Sequence, residues 1–222
     1  MENPRLKILF AVIACAILVS GSMLALTIWQ VNKVTAESLR NDGFFVYDAP
    51  ITLNDFNLAD HRGAPFTPGN LQDKWTLVFF GYTFCPDICP ITLASIKQFY
   101  DLLGESTNAE NVQVIMVSVD PERDTTEVLE NYVTFFNPEF IGVRGDYTQV
   151  YTLARNMNVS FSYTRIDDDN YLVNHNGEIM LLNPEGKNVG FFKAPHAPQA
   201  MLDNFLAVKK LPSAKVVVRE SD

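Results

Sequence analysis

The chain has 222 residues, of which 47% are hydrophobic and 12% aromatic, enough apolar material to bury a sizeable core. Its formal net charge of -9, with no basic run, argues against nucleic-acid binding, because neutralising phosphates requires clustered Lys and Arg. We therefore expect a folded, non-fibrous protein of one large domain or two small ones.

The first thirty residues differ from the rest of the chain. Residues 8–29 carry no charge over about 22 residues, which at about 1.5 Å per residue spans a hydrocarbon core of roughly 30 Å. A secretory signal usually has a shorter apolar region and an A-x-A-like cleavage site. We therefore predict that residues 1–30 are a cytoplasmic tip and a transmembrane anchor. The segment VIAC, which ends at Cys15, resembles a lipoprotein cleavage box, but the long apolar continuation after it favours the anchor.

The charges around this run bear on its orientation. Arg5 and Lys7 precede the run, Lys33 and Arg40 follow it, and the nearest charges favour an N-terminus inside the cell. The rest of the chain would then lie outside the cytoplasmic membrane, where thiols can be oxidised.

Residues 31–50 are predicted to be a linker, because their polarity is mixed and has no strong period. Residues 56–67 predict a short hairpin with its turn at residues 60–63. From there, buried strands alternate with amphipathic helices. The strands are predicted at residues 75–82, 112–119 and 140–145, and the helices at 91–104, 125–136 and 147–157.

The end of the chain predicts a closing hairpin. Residues 177–194 contain two apolar runs around a turn at residues 183–186, and a last helix is predicted at residues 198–209. This order predicts an α/β fold with parallel strands joined by helices and an antiparallel hairpin. The predicted folded domain covers residues 51–210, and residues 211–222 are a C-terminal tail.

The stretch YTFCPDICP, residues 82–90, places Cys85 and Cys89 at a strand-to-helix junction. We predict Cys85 at the end of the strand, Pro86 near the first helical position, and Cys89 in the first helical turn. Free amides and the helix dipole at that end favour a thiolate. Cβ atoms at i and i+4 on a helix lie roughly 5–6 Å apart, whereas a relaxed disulfide wants about 3.5–4.5 Å. A disulfide, a metal site and a catalytic thiol all remain open, and each is favoured over an inert buried pair.

A metal site would need a third ligand, and the chain has three histidines. His61 lies in the predicted hairpin turn, where a surface residue is expected. His175 lies in the connection that leads into the closing hairpin, and a loop histidine is more often solvated than ligating. Position in the sequence alone does not select either of them.

The segment VDPERDT contains three acidic residues that imitate a carboxylate metal cluster. We predict instead a loop with a helix cap at Asp124. Asp120 can still come near the thiols, since the ends of adjacent parallel strands converge. The acidic run at residues 167–169 is predicted to be a solvated loop.

Three segments together carry a family resemblance. FFGYTFCPDICPITL, then VSVDPERDT, then YLVNH ahead of a proline-glycine turn, resemble the Sco/SenC family of copper-binding proteins with a thioredoxin-like fold. The resemblance covers roughly residues 56–208. It implies that Cys85, Cys89 and His175 bind copper, as Cu(I) or Cu(II), and that the cysteines form a redox-active pair that is a disulfide when oxidised.

The resemblance also implies a role and a location. The chain would be a membrane-anchored copper metallochaperone that delivers copper to the binuclear centre of cytochrome c oxidase subunit II. Its partners would be that subunit and other copper chaperones or thiol reductases. We expect a single-pass protein of the bacterial inner membrane with its soluble domain in the periplasm. The alternative is a thiol-disulfide reductase that maintains the cysteines of the oxidase subunit, or a peroxide-reducing thiol enzyme. The Cys-x-x-x-Cys spacing argues against a dedicated reductase, whose usual spacing is Cys-x-x-Cys, and such an enzyme has no need of His175.

Two neighbours of the third ligand depart from the family pattern. Asn174 and Asn176 stand where the family usually has Asp and a small hydroxyl residue. A carboxylate would orient an imidazole and raise its basicity, so we expect its loss to affect copper affinity and redox tuning, though not the coordination itself. His196 is predicted to be structural or at the surface. A structural zinc site is disfavoured, since it wants four protein ligands.

Overall fold

The computed structural model describes residues 13–23, 35–105, 111–167 and 170–210. The chain divides into two compact units, residues 1–35 and residues 36–222. Residues 13–23 of the first unit are helical. Within the described ranges, every helix is too short or too polar to cross a membrane. The transmembrane prediction at residues 8–29 lies in part outside the described residues.

The second unit is an α/β fold, as predicted. Its strands are β1 (Phe44–Ile51), β2 (Leu58–Asp60), β3 (Pro65–Phe66), β4 (Trp75–Gly81), β5 (Val112–Ser118), β6 (Ile141–Arg144), β7 (Phe161–Arg165), β8 (Tyr171–His175), β9 (Ile179–Leu182) and β10 (Asn188–Phe192). Its helices are α1 (Ala36–Asn41), α2 (Ile88–Glu105), α3 (Thr126–Phe136), α4 (Tyr147–Asn156) and α5 (Pro198–Lys209). A short 3-10 helix covers Pro68–Leu71.

The main sheet has eight strands in the order β1-β10-β9-β4-β5-β6-β2-β3. Strands β4, β5 and β6 are parallel, and α2 and α3 connect them. Every residue of β5 and all but the first of β4 are buried, as the continuous apolar runs predicted. The predicted closing hairpin is β9 and β10, with β9 antiparallel to β4. The carboxyl ends of β4 and β5 therefore lie side by side, and their loops face the same edge.

The start of helix α2 differs from the prediction. Its first residue is Ile88, so Cys89 lies in the first turn as expected, but Pro86 precedes the helix. Pro90 also lies in the first turn, where its missing N–H is tolerated because that position has no intrahelical acceptor. The proline that was expected to start the helix is therefore part of the loop that carries Cys85.

The linker prediction for residues 31–50 is wrong from residue 36 onwards. These residues form α1 and most of β1, and Leu39 and Phe44 are buried. Strand β1 pairs antiparallel with β10, and its Phe44 ring packs 4.7 Å from that of Phe192, between centroids. As an edge strand, β1 is only partly covered, so its sequence lacks the apolar run of a central strand.

The segment that leads to His175 is also more ordered than predicted. Strands β7 and β8 form a two-stranded antiparallel sheet of their own, in which Phe161 pairs with His175. Four of the five residues of β7 are exposed, so the segment has little apolar pattern to reveal a strand. The acidic run at its tip includes residues 168–169, which lie outside the described residues.

The hairpin at residues 56–67 is confirmed, but His61 is not a surface residue. Strands β2 and β3 pair, and Asp60 Oδ1 accepts hydrogen bonds from the backbone N–H groups of Arg62 and Ala64. His61 is buried, and its Nδ1 accepts from the N–H of Gly142 at 2.9 Å. The turn folds against β6, which covers the imidazole.

Candidate metal centre

The structure brings Cys85, Cys89 and His175 together. Their ligand atoms all lie within 4.8 Å of one another. Cys85 follows β4 in a loop, Cys89 is in the first turn of α2, and His175 is the last residue of β8. Among the described residues, this is the one group of three or more His, Cys, Asp or Glu side chains that could hold a metal ion.

The end of β4 allows the first turn of α2 to pack closely against the strand. The N–H of Cys85 donates to the carbonyl of Tyr82 at 3.3 Å, which closes the turn after the strand. A Cβ added at Gly81 would lie 2.6 Å from a ring carbon of Phe79 and 3.2 Å from the sulfur of Cys89. Only glycine therefore allows Cys89 to lie directly against the strand, where this thiol is buried and Cys85 is partly exposed.

The two thiols are electrostatically unlike. The pKa of Cys85 is lowered to about 3, first because Cys89 donates a hydrogen bond to it and then through the backbone N–H groups of Asp87 and Cys89, against the opposing effect of burial. The pKa of Cys89 is raised well above its ordinary value by the same hydrogen bond and by burial. The reduced pair therefore shares one proton, with a thiolate at Cys85 and a thiol at Cys89.

The imidazole of His175 is held in one tautomer. Its Nδ1 lies 2.9 Å from the carbonyl oxygen of Asn176, and because a carbonyl can only accept, Nδ1 carries the proton. The lone pair of Nε2 is then free, and Nε2 lies 3.2 Å from Cys89 Sγ. The rings of Phe79 and Tyr82 meet the imidazole edge-on, at centroid distances of 5.7 and 5.9 Å. His175 therefore presents an unprotonated nitrogen to the thiols.

The two asparagines beside His175 do not disturb this arrangement. Asn174 Nδ2 donates to Thr164 Oγ1 at 2.7 Å, and Asn176 Nδ2 donates to Glu178 Oε2 at 2.9 Å. The task of orienting the imidazole, which a carboxylate could perform, falls to the backbone carbonyl of Asn176. A change of side chain at either position leaves that carbonyl in place.

Asp124 is not the helix cap that the sequence predicted. Thr125 is the N-cap of α3, and its hydroxyl accepts from the N–H of Val128 at 3.2 Å. Asp124 is fully buried and accepts from the hydroxyls of Thr83 and Ser118, each at 2.6 Å, and from the N–H of Thr83 at 3.2 Å. It therefore ties the loop before Cys85 to the end of β5.

The prediction missed this role because Asp and Thr are both good capping residues and stand next to each other. The available signal was position, since the segment follows a strand parallel to the one that precedes Cys85. Burial raises the pKa of Asp124, against the hydrogen bonds that lower it.

His196 is structural, as predicted. Its Nε2–H donates to the carbonyl of Gly177 at 2.6 Å, and burial lowers its pKa. Neither His196 nor His61 belongs to the group of converging ligand atoms.

Comparison with known proteins points to one family. The family model described as SCO1/SenC matches residues 47–209. The chain is 34% identical over 157 residues to the mitochondrial SCO2 homolog of Mus musculus, covering 70% of this chain and 62% of that protein. It is 32% identical over 181 residues to the mitochondrial SCO1 homolog of Homo sapiens, covering 81% and 60% respectively. The chain thus spans less than two thirds of the length of these two relatives.

Comparison with solved structures points to the same family. Copper-bound ScoI of Arabidopsis thaliana superposes with a TM-score of 0.67 at 33% identity, covering 71% of this chain and 98% of that one. Copper-bound ScoI of Bradyrhizobium japonicum gives a TM-score of 0.63 at 33% identity, covering 70% and 99%. The fold is thioredoxin-like, as expected from the sequence resemblance.

Proposed function

The chain belongs to the SCO1/SenC family, and on that basis we propose that it binds copper through Cys85, Cys89 and His175. The observation that carries the proposal is the convergence of three donor atoms from three separate elements within 4.8 Å. Thiolates are soft ligands that suit Cu(I), and an added imidazole also accommodates Cu(II). Both of the solved structures compared above hold copper.

The residues are prepared for this cargo in different ways. Cys85 is already a thiolate, Cys89 loses its proton when the metal binds, and His175 offers the lone pair of Nε2. Three protein ligands leave the ion open to exchange with an incoming ligand. Since Cys85 is the more exposed thiol, an acceptor would approach from its side.

We further propose that the cargo is delivered to the binuclear copper centre of cytochrome c oxidase subunit II. Family membership supports this recipient, and the incomplete ligand shell supports transfer over storage. The uncharged run at residues 8–29 supports a membrane anchor, with the folded unit on the periplasmic side of a bacterial inner membrane. Resistance of the full chain to carbonate extraction, together with protease access to the folded unit in spheroplasts, tests the anchor and its orientation. A chain released by carbonate would refute the anchor.

An anaerobic titration with Cu(I) tests copper binding on the full, reduced chain. The wild type is expected to bind one copper per chain, and Cys85→Ser and Cys89→Ser are expected to lose it. His175→Ala should bind more weakly, and X-ray absorption should show its nitrogen ligand missing. The matched control is His196→Gln, which removes a partly buried histidine outside the site and should bind normally. Full copper retention by either cysteine variant would refute the proposal.

A thiol-disulfide reductase remains the second candidate, because the two thiols differ so strongly in pKa. The Cys85 thiolate would attack a partner disulfide, form a mixed disulfide and release one partner thiolate. Cys89, after losing its proton, would then attack Cys85 Sγ and release the second thiolate, leaving the partner reduced and the pair oxidised. However, a thiolate with a pKa of about 3 is a weak nucleophile and a good leaving group, which argues against a reductase.

His175 separates the two candidates. Copper delivery requires its nitrogen, whereas disulfide reduction requires only the two cysteines. If His175→Ala retained full activity in oxidase assembly while both cysteines stayed essential, the reductase would be the correct function.

A further inference from the structure

The hairpin that carries His175 is not part of the main sheet. In the described part of the chain, β7 and β8 pair only with each other. The position of His175 relative to the thiols therefore depends on how this hairpin is attached to the sheet. Two attachments lie along the hairpin: the hydroxyl of Tyr163 donates to the carbonyl of Val119 at 2.6 Å, and the N–H of Val173 donates to the hydroxyl of Tyr82 at 3.4 Å.

A third attachment is built on a buried carboxylate. Asp120 is fully buried in the loop after β5, and its Oδ1 accepts a hydrogen bond from the hydroxyl of Tyr171 at 2.6 Å. Its Oδ2 accepts from Arg123 Nε at 2.5 Å. Tyr171 is the first residue of β8, the strand that ends at His175. A charged group that is removed from water must be paired, so Asp120 holds both partners firmly.

Arg123 joins this attachment to the loop that carries the first cysteine. Its guanidinium lies 3.8 Å from the centroid of the Tyr171 ring, and its Nη1 donates to the Tyr171 carbonyl at 3.1 Å. The same guanidinium lies 5.1 Å from the ring of Phe84 and 5.7 Å from that of Tyr82. These are cation–π distances. One side chain therefore contacts the strand of His175 and the residues just before Cys85.

We propose that Asp120, Arg123 and Tyr171 form a latch, which positions the His175 hairpin over the two cysteines. None of the three belongs to the group of ligand atoms. The proposal rests on the proposed copper site, whose nitrogen ligand the latch would hold. When the latch is broken, Cys85 keeps its place in the loop after β4 and Cys89 keeps its place on α2, while the hairpin moves away and takes its imidazole with it. The latch therefore sets whether the site has two ligands or three.

A merely structural role for the latch would predict something else. A buried ion pair that only stabilises the fold would, when broken, loosen the whole unit at once. A latch would loosen the hairpin selectively, so the test must compare the hairpin with the rest of the fold.

The first test is amide hydrogen exchange on the reduced, metal-free full chain. Tyr171→Phe keeps the ring over Arg123 and removes only the hydroxyl that donates a hydrogen bond to Asp120. We expect the amides of β7 and β8 to exchange roughly 10- to 100-fold faster, while those of β4 and β5 stay unchanged. The matched control is Tyr100→Phe, which removes a hydroxyl-to-carboxylate bond of the same 2.6 Å length to Glu139. That variant should leave the exchange of the hairpin unchanged.

The second test follows the nitrogen ligand. In Cu(II)-loaded Tyr171→Phe, electron paramagnetic resonance should show weaker nitrogen coupling while one copper per chain is retained. Arg123→Lys, which keeps a charge for Asp120 but loses the planar contact with Tyr171, should act in the same direction. Unchanged hairpin exchange and unchanged nitrogen coupling in both variants would overturn the latch, and so would acceleration spread evenly over the whole unit.

The two tests separate this proposal from the one on which it rests. If the wild type bound no copper, the proposed function would fail, while hydrogen exchange on the metal-free chain would still decide whether the latch holds the hairpin.

Discussion

Removing the carboxylate of Asp124 should destabilise the folded unit and loosen the loop that carries Cys85. In Asp124→Ala, three donors lose their acceptor: the N–H and hydroxyl of Thr83 and the hydroxyl of Ser118. A buried donor left unpaired costs about 1–3 kcal/mol, and water entering the space recovers part of that. We therefore expect the free energy of unfolding to fall by about 3–5 kcal/mol.

The isosteric variant Asp124→Asn should lose less, about 1–2 kcal/mol. Its amide oxygen still accepts one bond, and the hydroxyl of Ser118 can rotate to accept from the amide nitrogen. Burial raises the pKa of Asp124, so removing its charge also removes a desolvation cost. The free energy of unfolding is therefore expected to fall in the order wild type, Asp124→Asn, Asp124→Ala.

Thermal unfolding of the reduced, metal-free chain, followed by circular dichroism, measures this order. At roughly 2–4 °C per kcal/mol for a domain of this size, Asp124→Ala should lower Tm by about 10 °C. The matched control is Asp101→Ala, which breaks a half-exposed pair with Lys97 and should change the stability by no more than about 0.5 kcal/mol. If Asp124→Ala melted with the control, within about 2 °C of the wild type, the carboxylate would not anchor the loop.

Three further predictions concern the thiol pair. Cu(I) binding near neutral pH should release one proton per copper, from Cys89, because Cys85 is already ionised; release of two protons in weakly buffered titrations would contradict the pKa assignment. In the reduced, metal-free chain, the unfolded state binds one proton more than the folded state from about pH 3 up to the ordinary thiol value of 9.0, so stability should rise with pH across that window. The Tm difference between the wild type and Cys85→Ser should therefore grow from about pH 5 to about pH 8. A constant difference would contradict the lowered pKa of Cys85. Gly81→Ala should weaken copper binding and lower Tm, since the added Cβ would crowd Cys89. In the control Gly104→Ala, the added Cβ has nothing within 4 Å, so copper binding should stay unchanged and stability should rise by up to about 1 kcal/mol. Equal copper affinities in the two variants would refute the crowding.

Much of the fold could be predicted because its signals are local. The buried runs of β4 and β5, the helices between the parallel strands and the turn at residues 183–186 follow from residues that lie within a few positions of one another. The same holds for the thiolate just before α2, which needs only the two cysteines and the backbone N–H groups of Asp87 and Cys89. Where the local pattern was weak, as in β1 and β7, the strands were missed.

The sequence by itself determined the elements with a strong local pattern and the two thiols, and the family resemblance named His175 as their partner. Only the tertiary structure decided what surrounds them: that Asn176 orients the imidazole through its carbonyl, that Asp124 braces the cysteine loop, and that His61 is buried. Each of these contacts depends on which segments the chain brings together, and side chains on different segments leave no periodic trace in the sequence. A histidine eighty-six positions from Cys89 approaches its sulfur to 3.2 Å because a separate hairpin folds over the edge where β4 and β5 end.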